Sequence, residues 1–422
     1  MRICFLSRRY FPAISGMSVY AQNYLRELVQ MGHEVVMISQ YRNDEVGTKI
    51  YGGGPPPEVA GVEVIGHEAL GEQRVNFGEL ADFELDLRTM VETALAHHQR
   101  KPFDVVHAQY GYPNGLAALE ISRSTGIPNV VSIQGGDGHW VGLCCETHRR
   151  AIRAVFDHAN ELIIGSQSFA QEVHEHHGTP WERFTIIPGA INAERFQPRE
   201  GRELGDLSAS PVLLYHGRVD RRKGVLELIE AVEMLRSAGR EFRLVISGIG
   251  PDLEAAKELA SAKALGGVIE FTGHVAYEKV PDVYRAADVF VSPTWSEGFS
   301  NTILEAMASG LPIVAARAVG VVDCLTDGEN ALFHEVHDVA GLSGEIGKML
   351  DDGQLRRRLA ENALGEIRTK YRWSVIARQI VERLENVRSH APDNRWTAAY
   401  DPALTLAESD PTCRFRKAPH LL

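Results

Sequence analysis

The sequence is short of the residues and runs that would place it in an oxidising compartment, across a membrane or on nucleic acid. Cysteine occurs only at 4, 144, 145, 324 and 413 among 422 residues. The count is odd, the spacing is irregular and no Cys-x-x-Cys pair occurs, which excludes a disulfide scaffold and indicates reduced thiols. Cys144 and Cys145 are neighbours, but no other ligand pattern surrounds them, so they read as ordinary thiols and no metal site is expected. No stretch approaches the roughly 18 apolar residues of a membrane span. The opening Met1-Arg2-Ile3-Cys4-Phe5-Leu6-Ser7 lacks the apolar core and small-residue cleavage site of a secretion signal. Basic residues are also scarce: 44 Lys and Arg stand against 56 Asp and Glu, a formal net charge of -12, which argues against nucleic acid as a partner. A cytoplasmic protein is expected, with room for a local patch in peripheral contact with the inner membrane face.

What is present is an ordinary globular composition, 44% apolar and 24% charged. That composition builds large cores without bridges, and the length fits two domains more simply than three. Apolar runs of strand length alternate with helical periodicity. Residues 3–7 read as a strand, and a loop follows through Phe11, Pro12 and Gly16. Val19, Tyr20, Tyr24, Leu25 and Leu28 then recur at helical spacing before Gly32 and a second strand at 35–38. Such a βαβ unit implies a parallel sheet. Further strands are predicted at 103–108, 129–133, 162–164 and 185–187, while 47–75, around Gly52-Gly53-Gly54-Pro55-Pro56-Pro57, reads as loop. Residues 192–210 lose periodicity and read as a linker. A second series has strands at 212–215, 243–247, 268–271, 289–292 and 313–315, then helical patterns at 342–350, 355–367 and 375–387. Beyond Ser389, four prolines punctuate an irregular tail, expected along the surface or disordered. The class is α/β.

Ligands of open α/β sheets bind at the carboxyl ends of strands, and three loops there carry candidate chemistry. Gly16 stands between a strand and a helix, where close backbone approach and the helix dipole suit a phosphate. No GxGxxG fingerprint surrounds it, and a plain turn fits equally. His216-Gly217-Arg218-Val219-Asp220-Arg221-Arg222-Lys223-Gly224 follows a strand. The planar fork of Arg218 and the compact charge of Lys223 can turn toward one phosphate, or the stretch is a solvated basic loop. The third loop is Ser296-Glu297-Gly298-Phe299-Ser300-Asn301-Thr302-Ile303-Leu304-Glu305. Gly298 admits close approach, and a helix starting near Asn301 offers N–H groups to an oxyanion. Glu297 and Glu305 can accept bonds from sugar or ribose hydroxyls, or Glu305 is a plain surface residue of the helix. His174, His176 and His177 do not form a convergent set on their helix end and read as solvated.

Together these clusters resemble the GT-B glycosyltransferases of the large retaining family 4. The stretch from Gly217-Arg218 to Lys223-Gly224 looks like that family's G-R-x-x-x-x-K-G loop, and Glu297 through Glu305 looks like its E-x7-E motif. Gly16, Gly32-His33-Glu34-Val35, the segment Ile187-Pro188-Gly189-Ala190 and Tyr371-Arg372-Trp373-Ser374 fit more loosely. The resemblance covers about residues 1–388. It implies two Rossmann-like parallel-sheet domains facing a cleft. Residues 1–191 would form an acceptor-binding domain, 192–371 a nucleotide-sugar-binding domain, with a helix at 372–390 crossing back to the first and an irregular tail at 391–422. The implied activity moves a sugar, with retention, from a UDP- or GDP-linked donor to an unidentified polysaccharide, lipid-linked glycan or small-molecule acceptor.

The resemblance also implies roles for residues. Arg218 and Lys223 would neutralise the diphosphate, Glu305 would hold the ribose and Glu297 the donor sugar. Gly298, Phe299, Ser300 and Asn301 would line sugar and phosphate with backbone, and Gly16 would meet the diphosphate. No Asp-x-Asp occurs, so these cations would replace a metal and no cofactor is expected. The chain departs from the family at Gln134-Gly135-Gly136-Asp137, where many relatives carry His-Gly; Gln134 does not titrate in the useful range. Asp137 and His107 then become candidates for a base or an acceptor contact. Rival readings are a GT-B nucleotide-sugar epimerase and a non-catalytic nucleotide-sugar-binding protein.

Overall fold

A computed structural model describes residues 1–13, 15–400 and 413–419. It divides the chain into two compact units, Met1–Pro188 with Ser374–Leu422, and Gly189–Trp373.

The first unit is built on seven strands: β1 (Arg2–Ser7), β2 (Glu34–Tyr41), β3 (Val62–Glu68), β4 (Val105–Gln109), β5 (Asn129–Ile133), β6 (Glu161–Ile164) and β7 (Phe184–Ile186). Their order is β3-β2-β1-β4-β5-β6-β7, parallel throughout. β1, β4 and β5 are buried along their whole length. This is why they read as near-continuous apolar runs rather than alternating ones: helices cover both faces of a parallel sheet. The helix Gly16–Gln30 begins on a capping box in which Ser15 and Ser18 satisfy each other's backbone N–H.

The second unit repeats the plan with β8 (Val212–His216), β9 (Arg243–Ser247), β10 (Ile269–Gly273), β11 (Val289–Ser292), β12 (Ile313–Ala316) and β13 (Leu332–His334). The order is β10-β9-β8-β11-β12-β13, again parallel. Its core joins Leu213, Leu244 and Val289 of the sheet to Leu228, Val232, Leu342 and Ile346 of the helices. Both sheets reverse their strand order once, between β1 and β4 and between β8 and β11. Each is a Rossmann-like domain.

Three expectations are corrected. The segment 47–75 is not all loop: Asp44 caps a helix at Glu45–Tyr51, and β3 pairs with β2 over seven residues. Its polar alternation Val62-Glu63-Val64 hid an edge strand. β13 is three residues long and was missed for that reason. The tail, as far as it is described, is irregular and mostly exposed over 391–400 apart from one turn at Arg395–Ala398, but parts of it are anchored in the core. Trp396, Cys413 and Phe415 are buried, and the Arg416 guanidinium donates to both Glu84 oxygens at 2.8 and 2.9 Å in the interior of the first unit. Among the described residues no helix is long and apolar enough to cross a membrane.

Candidate functional site

In the second unit four loops meet at the carboxyl ends of β8, β9, β11 and β12, around the point where the strand order reverses. Backbone hydrogen bonds tie them together. Gly217 N–H donates to Ser247 and Val219 N–H to Ile249, both at 2.9 Å, joining the loops after β8 and β9. Trp295 N–H donates to Arg222, and Glu297 N–H to Val319, also at 2.9 Å, drawing in the loops after β11 and β12. Two glycines permit this density. A Cβ on Gly248 would stand 1.9 Å from the Gly217 carbonyl oxygen, and one on Gly320 would stand 2.1 Å from that of Glu297, with positive φ at both. Neither is marked by a longer motif in the sequence. A Gly-x-Gly directly after β9, Gly248-Ile249-Gly250, was the available signal.

The structure sorts the basic residues of the loop after β8. Arg222 is pinned on Asp220 by two bonds of 3.0 and 2.6 Å, and Arg221 on Asp252 by bonds of 3.0 and 2.8 Å. Burial would lift the Asp220 carboxyl, but the bonds and charge of Arg222, with the charge of Arg218, carry it down to about 2. Arg218 stands off at 3.6 Å from Asp220. The Lys223 ammonium lies 2.8 Å from a Glu297 oxygen and 3.4 Å from the Ser296 carbonyl. Of the two cations named from the sequence, Arg218 lies near Asp220 and Lys223 pairs with Glu297, so the loop brings Lys223 to Glu297. Arg218, Lys223 and Glu297 are all part-exposed.

The helix Asn301–Ala308 starts where Glu297-Gly298-Phe299-Ser300 leaves β11. Its first-turn N–H groups are of the kind that helix starts offer to anions. Phe299 is set by ring packing on Tyr371, 5.8 Å between centroids, and by Gly189, whose missing side chain leaves room for it. Ser300 is buried, with its hydroxyl 3.2 Å from that of Thr302. Glu305 is not a surface residue: it is 5% exposed and accepts a 2.8 Å bond from the Tyr284 hydroxyl. Burial raises its carboxyl to about 7, against the lowering pull of Tyr284 and the charge of Arg195. Tyr284 lies 21 residues upstream on another helix and gave no sequence signal.

The first unit treats its candidates differently. Gly16 is exposed at the start of its helix, behind the Ser15 cap. His107 is fully buried inside β4, with Nδ1 3.0 Å from the Tyr24 hydroxyl and Nε2 2.8 Å from the Ser132 hydroxyl. Burial takes its pKa down to about 3. Both nitrogens are hydrogen-bonded, and the ring bridges Tyr24 and Ser132 inside the core. Asp137 is also fully buried. Its oxygens accept from the N–H groups of Gly111 at 2.7 Å, Gln134 at 3.1 Å and Gly135 at 2.8 Å. Burial lifts it to about 6 while those bonds hold it down. It fastens the turn after β5. Gln134 is itself held by Gln109 at 2.8 Å. Of the three histidines at 174–177, His177 proves buried against Phe156, His174 bonds the Thr179 carbonyl at 2.9 Å, and no set converges.

Two family profiles match the chain, "Glycosyl transferases group 1" over residues 197–365 and "Glycosyl transferase 4-like domain" over residues 15–190. A D-inositol 3-phosphate glycosyltransferase of Arthrobacter sp. (strain FB24) is 28% identical over 403 residues, covering 86% of this chain and 91% of that protein. One from Corynebacterium efficiens is 31% identical over 248 residues, 56% of this chain and 58% of that protein. Among solved structures, sucrose-phosphate synthase from Thermosynechococcus elongatus superposes with a TM-score of 0.76 at 20% identity, over 92% of this chain and 98% of that one. Anabaena Alr3699/HepE in complex with UDP-glucose does so with a TM-score of 0.71 at 18% identity, over 92% and 100%.

Proposed function

Because the chain belongs to the group 1 glycosyl transferases of the GT-B fold, we propose that it moves a hexosyl group from a UDP-linked donor to a hydroxyl acceptor with retention of configuration. The observation that carries this reading is the meeting of Lys223 and Glu297 beside Arg218 at the carboxyl ends of β8 and β11. Arg218 and Lys223 take the diphosphate, whose charge grows as the bond from C1 to phosphate oxygen breaks. Glu297 turns from Lys223 to the donor hydroxyls, and Gly298, Phe299, Ser300 and Asn301 line sugar and phosphate. Glu305, seated on Tyr284, receives the ribose hydroxyls. The two fixed cations supply the charge that other transferases draw from a divalent ion, so no metal is needed at the donor.

His107 and Asp137 are both committed to the scaffold. The acceptor proton therefore passes to the departing phosphate oxygen. The acceptor oxygen bonds to C1 on the face the phosphate leaves, yielding glycoside and UDP. The Anabaena structures hold UDP and UDP-glucose, which supports uridine. Relatives named for inositol 3-phosphate make a phosphorylated polyol the first acceptor to try. The test is a panel of UDP- and GDP-hexoses with inositol 3-phosphate and simpler polyols, the product anomer read by NMR. UDP-α-hexose is expected to give an α-glycoside; a β-linked product, or transfer from GDP-sugars alone, would overturn the reading.

A further inference from the structure

The carboxyl-terminal segment brings Cys413 to the adjacent pair Cys144-Cys145 and to His148, one turn into the helix Glu146–His158. The four donor atoms lie within 4.8 Å of one another. The His148 Nδ1 is 3.1 Å from Cys144 Sγ, 3.5 Å from Cys145 Sγ and 3.4 Å from Cys413 Sγ. Cys144 Sγ is 3.8 Å from Cys145 Sγ and 4.0 Å from Cys413 Sγ. Three thiols cannot be satisfied by one ring nitrogen, which carries a single lone pair or a single proton. Those spacings have another meaning. A tetrahedron of thiolate and imidazole ligands with bonds of about 2.3 and 2.1 Å has edges of about 3.6–3.8 Å. His148 and Cys413 are buried and the cysteine pair is half-buried, and four protein donors fill the tetrahedron of a structural zinc site and leave no open position for a substrate.

We propose that Cys144, Cys145, His148 and Cys413 bind one zinc ion as a closed structural site that fastens the carboxyl-terminal segment onto the first unit. Three thiolates and an imidazole are a soft donor set that selects zinc over magnesium, calcium or manganese. On binding, the thiol protons are released to solvent and no electron moves. The fastened segment does visible work. Phe415 lies 6.0 Å from the His148 ring, Arg416 pairs with buried Glu84, and the Pro419 carbonyl accepts from Arg8 at 3.4 Å and Arg9 at 3.3 Å. Arg8 follows β1 directly, so the metal locks the segment against the carboxyl end of that strand. This ion is separate in role from the donor chemistry, which uses none of its ligands.

The test is metal content and spectroscopy on the full chain purified from zinc-supplemented medium. About one zinc per chain is expected, with cobalt exchange giving the intense visible bands of a tetrahedral thiolate complex. Cys413→Ser and His148→Ala should lose the metal, while Cys324→Ala, at a buried thiol far from the cluster in sequence, should keep it. Stripping the metal should open Arg414 and Lys417 to trypsin. If the ligand variants fail to fold, the cobalt spectrum and thiol count of the unaltered chain decide. A chain that stays metal-free after zinc reconstitution with five titratable thiols, or a Cys144–Cys413 disulfide in a non-reduced peptide map, would overturn the proposal.

Discussion

Replacing Lys223 with methionine removes one positive charge from the donor loop while keeping the aliphatic stem. In the structure that charge pairs with Glu297 at 2.8 Å, the side chains being 30% and 21% exposed. Such a part-exposed pair is worth no more than about 1 kcal/mol of stability, so the melting temperature should barely move. The effect on transfer is larger. A full charge about 4 Å from a phosphate oxygen, at an effective dielectric of about 20, is worth ~4 kcal/mol. Solvent at the open site reduces this toward the ~3 kcal/mol typical of one lost transition-state donor, on the order of 10²-fold in rate. The loss has a second part: without Lys223, the Glu297 carboxylate faces the diphosphate uncompensated. The double variant Lys223→Met/Glu297→Gln should therefore recover part of the UDP affinity but none of the rate. The assay is kcat/KM for UDP-sugar beside calorimetric UDP binding and thermal melts. A Lys223→Met enzyme within threefold of wild type, or one whose loss tracks a large fall in stability, would refute the electrostatic assignment.

Glu305, raised to about 7 by burial, should make UDP affinity climb as pH rises through 7 and its carboxylate ionises, and Glu305→Gln should flatten that profile. Its folded pKa lies above the unfolded value of about 4.3, so its contribution to stability is complete below that value and is lost as pH rises through 7. Glu305→Gln should accordingly gain on wild type in urea midpoints at pH 8 but not at pH 4; an equal shift at both would contradict this. His107→Gln should cost on the order of 1–3 kcal/mol of stability through its buried bonds and leave kcat nearly intact. An essentially stable variant with kcat down about 10²-fold would restore it as a base. Gly248→Ala, whose methyl would meet the Gly217 carbonyl at 1.9 Å, should lower both stability and UDP affinity, and a variant unchanged in both would show that the loops need no such contact.

Much of both sheets was legible because buried parallel strands are written as near-continuous apolar runs, as in Val105-Val106-His107 or Val289-Phe290-Val291. The parts that failed carry weaker signals. β3 is an edge strand whose charged residues alternate with apolar ones beside a proline run, and β13 has three residues. The loops proposed to take the donor stood out in the sequence because their residues are contiguous: Arg218 and Lys223 lie in one loop, and Glu297 and Glu305 straddle one helix start. Which carboxylate each basic residue pairs with was not, since Asp252, the partner of Arg221, comes from the loop after another strand. His107 and Asp137 were named on residue type and position at a strand, whereas only packing shows that their polar atoms bond Tyr24, Ser132 and the turn after β5. The cysteine cluster was hidden by distance, with Cys413 lying 269 residues from Cys144.

The most direct trial of the central claim is a crystal structure of the chain with UDP, grown without divalent ions. The account requires diphosphate oxygens within bonding distance of the Arg218 guanidinium and the Lys223 ammonium, with ribose hydroxyls on Glu305. UDP bound away from those side chains, or bound only when magnesium is supplied, would contradict it.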